Sequence, residues 1–236
     1  MSARAVQKEI RALGNKERAK NYAWFFKTGP GQYGEGDQFL GLSMPEIRSV
    51  AKHFPELSFA HIQTLLKSAW HEERMAGLLI LVTQYQKTDD AQKKQDVFDF
   101  YLDNRVAINN WDLVDVTTPH IVGVHLLSRP KKERAFLYDF ARSKNMWERR
   151  IAMLATFPFI RRGEFTDALS IAEMLLGDKE DLLHKAVGWM LREIGKQDAD
   201  VLKQFLEKYI HHMPRTTLRY AIEKFPEKER KEWLKR

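Results

Sequence analysis

Apolar residues recur along this chain with the spacing of helices, and alternating strand patterns are almost absent. The apolar run AGLLILVTQY at 76–85 continues a helical pattern opened by HEER at 71–74, within a proline-free stretch from Pro55 to Pro119. Later helices are predicted at 111–127, 131–142, 147–161, 166–176, 182–194, 198–209 and 215–224, separated by turn-forming residues at 128–130, 162–163, 177–178 and 213–214. Such short connections favour neighbouring helices that pack antiparallel in an all-α fold.

Basic residues recur at a fixed place in successive helices, just before a pair of small or apolar residues. Arg74 and Arg150 are 76 residues apart, twice 38, and Lys185 and Arg219 follow after 35 and 34 residues. Repeats of this length match one HEAT-like helix pair. We therefore predict a right-handed α-solenoid that forms a single domain over 1–236, with these cations aligned on a concave basic face. The alternative is that each cation is a solvated residue near the start of its helix.

Composition narrows the classes of function. The chain has 236 residues with 44% hydrophobic content, no cysteine and a formal net charge of +7. It therefore lacks disulfides, thiolate metal sites and a cysteine nucleophile, and a polyanion such as nucleic acid is the leading partner class. A cation at the start of a helix opposes the helix dipole, so its recurrence favours a phosphate-binding role.

Other signals of location and chemistry are weak. Residues 1–14 are expected to form an amphipathic helix without the apolar region of a secretion signal, and no stretch is apolar enough for a membrane span. We expect a monomer located in the cytoplasm, at the nucleoid when bound to DNA. HEER is not an HExxH zinc motif, and the glycines at 29–36 do not form a phosphate loop, so neither a metal nor a cofactor is expected.

Four segments carry a family resemblance. NNWDLVD at 109–115 with Thr-Thr-Pro at 117–119, MWERRIAML at 146–154 and HKAVGWMLRE at 184–193 resemble the AlkD family of DNA alkylation repair proteins. The resemblance runs in order from about Ala23 to Phe225. It implies a HEAT-like repeat glycosylase that cleaves purines alkylated at N3 or N7 from double-stranded DNA.

The resemblance also implies roles for single residues. Trp111 and Trp189 match aromatic residues that flank the sugar of the lesion, Asp115 matches the catalytic carboxylate, and Arg150 matches an arginine that holds the DNA. Further predicted DNA contacts are Arg74, Lys185, Arg192 and Arg219. This set suits the chemistry, because an alkylated purine that already carries positive charge leaves without a general acid. A carboxylate and aromatic faces then stabilise the cationic sugar.

Each assignment has a structural alternative. A tryptophan at helical spacing is usually a core residue, as expected for Trp24, Trp70, Trp147 and Trp233, which we predict to be packed or partly exposed. Asp115 has the alternative of a surface carboxylate paired with a nearby cation, and Arg149 competes with Arg150. Asp112 is predicted to complement the helix start beside Asn109 and Asn110.

The glycine-rich segment TGPGQYGEGDQFLG at 28–41 departs from the family pattern. Its glycines, with Tyr33, Phe39 and Leu40, predict a short β-hairpin or an ordered surface loop. Hairpin-bearing relatives of the AlkF and AlkG type are associated with binding branched DNA. The sequence therefore leaves two functions open, a glycosylase for alkylated purines and a non-catalytic protein that binds bent or branched DNA.

Overall fold

The computed structural model describes residues 1–236 and is helical, with one isolated β-bridge between Gln38 and Trp70. The helices group into two compact units, Met1–Leu113 and Val114–Arg236. The all-α class is confirmed, whereas the single domain and the concave basic face stay predictions. No helix combines the length and the apolarity needed to cross a membrane.

Unit 1 is built around one long buried helix, α5. Its helices are α1 (Ala3–Ala12), α2 (Lys16–Phe25), α3 (Met44–Lys52), α4 (Phe59–Leu66), α5 (His71–Lys87) and α6 (Ala91–Asp103). Every residue of α5 from His71 to Val82 is buried, and the helix packs against α1, α3, α4 and α6. Neighbours on several sides explain why this helix has no exposed face over that stretch.

Unit 2 has a similar centre in α13. Helix α7 (Trp111–Thr118) crosses the boundary between the units; it is followed by a π-helical turn (Pro119–Gly123), α8 (Val124–Leu127), a 3-10 turn (Lys131–Arg134), α9 (Ala135–Ala141), α10 (Met146–Ala155), α11 (Phe157–Arg161), α12 (Thr166–Leu175), α13 (Asp181–Gln197), α14 (Ala199–Tyr209), α15 (Arg215–Ala221) and α16 (Glu227–Lys235). Helix α13 packs against α10, α11, α12, α14 and α15.

The predicted helix positions are confirmed, with local breaks that prolines explain. Pro119 lacks an amide proton, and the chain passes it through the π-helical turn. Likewise, the helix predicted at 147–161 divides into α10 and α11 at Thr156, two residues before Pro158. Each proline therefore interrupts a helix without ending the apolar pattern that the sequence shows.

Helices α13 and α15 approach each other closely at Gly188. A Cβ atom on Gly188 would lie 2.5 Å from Cβ of Tyr220 and 2.6 Å from the carbonyl oxygen of Thr217. We expect Gly188→Ala to lower the free energy of unfolding by about 1–3 kcal/mol, because α15 must move away. Urea unfolding measures the change. Gly177→Ala is the control, since a Cβ atom added there would meet no neighbouring atom within 4 Å. Equal losses for both variants would contradict the prediction.

The β-hairpin predicted near residues 28–41 is absent. Residues 29–36 form turns and bends, and the backbone amides of residues 40–42 donate to the buried carboxylate of Glu72 at 2.7–3.2 Å. Amides that bind a side chain cannot also pair with a second strand. At Gly41, φ is +84° and a Cβ atom would lie 2.2 Å from the oxygen of Asn15, so the glycine permits a close crossing of backbones. The ordered loop, the other prediction for this segment, is what the structure shows.

Candidate functional site

An aspartate and an arginine form a largely buried ion pair in unit 2. The guanidinium of Arg150 on α10 donates from Nε to Oδ1 of Asp115 at 2.8 Å and from Nη2 to Oδ2 at 2.7 Å. The Arg150 side chain is 5% exposed and that of Asp115 is 14% exposed. Two parallel charge-assisted hydrogen bonds define the orientation of a carboxylate. Asp115 is therefore held in one position while part of its side chain still reaches solvent.

A third contact completes the surroundings of Arg150. Its Nη1 donates to the carbonyl oxygen of Leu182 on α13, so the guanidinium is engaged on three sides. Arg149 pairs instead with Asp178, with Nε 2.6 Å from Oδ2. Arg150, which we expected to contact a phosphate, is placed here as the residue that positions Asp115.

Trp111 begins α7 and belongs to an aromatic cluster in unit 1. Its indole stacks on Phe26 with ring centroids 5.3 Å apart and meets the edge of Phe25 at 6.0 Å. Phe26 also stacks on Phe39 of the glycine-rich segment at 4.9 Å. Trp111 is half-buried. The cluster thus holds the indole while leaving part of it accessible.

A buried histidine with two carboxylate partners lies beside this cluster. His71, the first residue of α5, has Nδ1 3.1 Å from Asp37 and Nε2 2.8 Å from Asp112. Its ring stacks on Phe39 with centroids 4.8 Å apart. Arg74 donates to the second oxygen of Asp37 at 2.6 Å. Asp112, next to Trp111, therefore contacts α5 directly through His71, and His71 links it to Asp37 of the glycine-rich segment.

The charges in this network favour a protonated histidine. Burial lowers the pKa of His71, but the charge and hydrogen bond of Asp112 and the hydrogen bond of Asp37 outweigh burial and raise the pKa to about 9. Burial also raises the pKa of Asp37, yet the hydrogen bond from His71 and the charge of Arg74 leave it below its usual value. An imidazolium that donates to two carboxylates is a structural clamp.

The clamp formed by His71, Asp37 and Asp112 was not predicted from the sequence. HEER was interpreted only as the start of a helix, and Asp37 lies 34 residues from His71 while Asp112 lies 41 residues away. Asp112 does complement the start of its helix as predicted, because its Oδ1 accepts the amide of Leu113 at 2.8 Å. The one available signal was the number of ionisable residues at the start of an otherwise apolar helix.

Trp189 on α13 is positioned by its own set of contacts in unit 2. Its Nε1 donates to Glu193 at 3.2 Å, and its ring centroid lies 6.0 Å from that of Phe157. Lys196 pairs with the same glutamate at 2.7 Å. The indole is half-buried, so a fixed part of it faces solvent.

The other predicted DNA contacts differ in accessibility. Arg74 is buried and donates to Asp37 and to the carbonyl oxygen of Ser68, so the structure uses it inside unit 1. Arg192 pairs with Glu223. Lys185 is 39% exposed and pairs with Asp181 at 2.7 Å. Arg219 is exposed. The predicted row of similar cations is thus divided between buried structural residues and surface residues.

Comparisons with known proteins identify a family by sequence and a fold by structure. A family described as DNA alkylation repair enzyme matches residues 6–225. A protein from Enterococcus faecalis, described as a predicted DNA alkylation repair enzyme, aligns with a TM-score of 0.71 at 15% identity, over 91% of this chain and 97% of its own. AlkD2 from Streptococcus mutans aligns with a TM-score of 0.56 at 17% identity, over 95% and 97%. No curated protein matches by sequence. The structural similarities show the helical-repeat fold predicted from the sequence.

Proposed function

This chain belongs to the family of DNA alkylation repair enzymes, and on that premise we propose that it is a monofunctional DNA glycosylase for purines alkylated at N3 or N7. The bond between C1′ of deoxyribose and the purine breaks, and its electron pair leaves with the base. Water supplies a hydroxyl to C1′ and its second proton passes to solvent. The products are a neutral alkylated base and an abasic site in double-stranded DNA.

In the proposed reaction the protein has to provide mainly electrostatic stabilisation of the transition state. An alkylated purine carries a positive charge that cancels when the base leaves, so no acid has to protonate it. Positive charge develops on the sugar instead, and a fixed negative group stabilises that charge without having to reorganise. The site therefore needs an oriented carboxylate more than it needs a proton donor.

The bidentate ion pair between Asp115 and Arg150 is the observation that supports this assignment. A bidentate arginine prevents the carboxylate from rotating, while the 14% exposure of Asp115 leaves it within reach of a bound sugar. In the proposed reaction Asp115 stabilises the cationic sugar and orients the attacking water. Arg150 acts through Asp115.

Two half-buried tryptophans, one in each unit, have further proposed roles. The negative face of an indole attracts a cation by its quadrupole, so Trp111 and Trp189 are suited to a sugar that becomes positive. Each ring is held by specific contacts, Trp111 by Phe26 and Trp189 by the hydrogen bond to Glu193. Preorganised rings bind the transition state without a further loss of rotamer freedom.

Binding of DNA rests on the surface cations. With a net charge of +7, the chain attracts the phosphate backbone at long range. We propose Lys185 and Arg219 as phosphate contacts, with Arg192 beside them on α13, and we place Arg74 in the fold of unit 1. The protein would act as a monomer in the cytoplasm, at the nucleoid.

Release of 7-methylguanine and 3-methyladenine from methylated duplex DNA tests the proposal. We expect the protein to release these bases, and Asp115→Asn to slow the single-turnover rate roughly 10²-fold, the usual effect of removing one fixed electrostatic group from a transition state. Circular dichroism corrects the rate for the folded fraction.

Asp139→Asn is the matched control for this experiment. Asp139 is an 81% exposed carboxylate in unit 2 with an ion pair to Arg142, and its removal is expected to leave the rate unchanged. Wild-type protein that releases no base above the uncatalysed rate would refute the glycosylase assignment. Equal rates for Asp115→Asn and wild type would refute the role of the carboxylate.

The alternative, a non-catalytic protein for bent or branched DNA of the AlkF and AlkG type, rested on a β-hairpin at 28–41 that the structure lacks. No feature of the fold favours it over base excision. Measuring the affinity for a four-way junction beside base release distinguishes the two functions, because tight binding of the junction without release of base would support only the alternative.

A further inference from the structure

Helix α2 presents an unusually exposed aromatic side chain. Trp24 is 83% exposed, and no residue of α2 is buried. Its neighbour Phe25 is 55% exposed but touches the rings of Phe26 and Trp111. The indole of Trp24 therefore contributes little packing to unit 1, and its exposure requires another explanation.

The contacts of α2 show which side of the helix faces unit 1. The side chain of Asn15 caps the helix through the amide of Arg18, and Arg18 pairs with Glu46 on α3 at 3.0 Å. Tyr22 meets the edges of Phe26 and Phe39 at 6.3 and 6.1 Å. Positions 15, 18 and 22 follow the i, i+3, i+7 spacing of one helix face. This face anchors α2.

The opposite face carries two lysines and Trp24. Residues four apart on a helix lie about 40° apart around its axis, so Lys16, Lys20 and Trp24 form one stripe about 80° wide. Both lysines are exposed. The centre of this stripe is on the side opposite to the anchored face. Lys27, just past the helix end, adds a third exposed cation.

A row of lysines that ends in an exposed indole is suited to bind nucleic acid. A row of cations attracts phosphates, and an exposed indole at the end of the row offers a flat face to a base. The one acidic residue of α2, Glu17, lies in its first turn, where a negative charge favours the helix. The stripe therefore has a positive charge along its length and an apolar ring at one end.

We propose that Trp24 is a base-stacking residue for DNA, with Lys16 and Lys20 binding phosphates of the same strand. The inference rests on the proposed function only in taking DNA as the partner. The ligand chemistry is an unpaired nucleobase, because a base inside an intact duplex has both faces covered by its neighbours. Trp24 would thus hold a strand at a place where stacking is interrupted.

Binding to two labelled duplexes tests the proposal, one fully paired and one with a single unpaired base. We expect Trp24→Ala to weaken binding of the second duplex about 5-fold to 100-fold, the range of one lost stacking contact, and to affect the paired duplex much less. Trp24→Phe is expected to retain most of the affinity. Val106→Ala, which changes a 75% exposed residue of unit 1, is the control.

The salt dependence of DNA binding distinguishes the contribution of the Trp24 ring from that of the lysines. Lys20→Ala is expected to reduce the slope of log affinity against log salt by about one, whereas Trp24→Ala leaves the slope unchanged. Equal losses on both duplexes, or a lower melting temperature for Trp24→Ala than for Val106→Ala, would overturn the stacking role. If wild type binds and excises while Trp24→Ala behaves identically, the inference fails and the proposed function stands. Absence of DNA binding by wild type would overturn both.

Discussion

Replacing Arg150 with alanine is expected to lower the free energy of unfolding by about 3–5 kcal/mol, because removing one partner leaves the other charge poorly solvated. The guanidinium is 5% exposed and bridges Asp115 and the carbonyl oxygen of Leu182. Its loss leaves both acceptors without that donor. Urea unfolding followed by circular dichroism measures the change.

A double-mutant cycle shows whether the ion pair is the cause. Arg150→Ala combined with Asp115→Asn should cost less than the sum of the two single variants, because the double variant leaves no unpaired charge. Arg142→Ala removes an exposed ion pair with Asp139 and is expected to cost about 1 kcal/mol or less. Similar losses for Arg150→Ala and Arg142→Ala would contradict the structural role.

Measurements of DNA binding test whether Arg150 contacts a phosphate. A buried guanidinium releases no counterion from DNA, so Arg150→Ala should leave the salt slope of binding unchanged at a temperature where the variant is folded. A salt slope reduced by about one would instead support the phosphate contact of Arg150 that was predicted from the sequence. Activity should fall together with that of Asp115→Asn, because both changes affect the same carboxylate.

Raising the pH from 6.5 to 9 is expected to destabilise the protein through His71. The folded pKa is about 9 and the ordinary value is 6.5, so in this window the folded state holds a proton that the unfolded state has lost. The stabilising effect is complete below pH 6.5 and disappears as the pH rises through 9. The free energy of unfolding should decrease by about 1.4 kcal/mol per pH unit, a total on the order of 3 kcal/mol.

His71→Gln supplies the control for this pH dependence. Glutamine does not titrate, so the variant should be less stable at pH 6.5 and should lack the decrease between pH 6.5 and 9. Urea unfolding in buffers of equal ionic strength measures both proteins. A parallel decrease in wild type and variant would assign the effect to another group and contradict the clamp formed with Asp37 and Asp112.

The glycine-rich segment shows which choice the sequence left open, between a β-hairpin and an ordered loop. Glycines between aromatic residues suggested a hairpin, but the amides of residues 40–42 bind Glu72, which lies about thirty positions later. The carboxylate competes with a partner strand for the same amides. A local pattern of turn residues contains no information about that competitor, so the hairpin and the loop could not be distinguished in advance.

The repeated cations show that a correct spacing in the sequence does not reveal which residues are buried. Arg74, Arg150, Lys185 and Arg219 do occupy the fourth or fifth position of α5, α10, α13 and α15. Their spacing was therefore a real property of the helical repeats. Two of them nevertheless are buried and pair with aspartates 37 and 35 positions earlier.

The sequence by itself determined the all-α class, the approximate positions of the helices and the set of candidate residues Trp111, Asp115 and Trp189. Helical periodicity is a local property, set by hydrogen bonds between residues four apart, so it can be seen in a short window. Only the tertiary structure decided that Arg150 orients Asp115, that His71 joins Asp37 to Asp112, and that Trp24 remains outside the core. Those outcomes depend on which distant side chains meet in a low-dielectric interior, where an unpaired charge is too costly to remain.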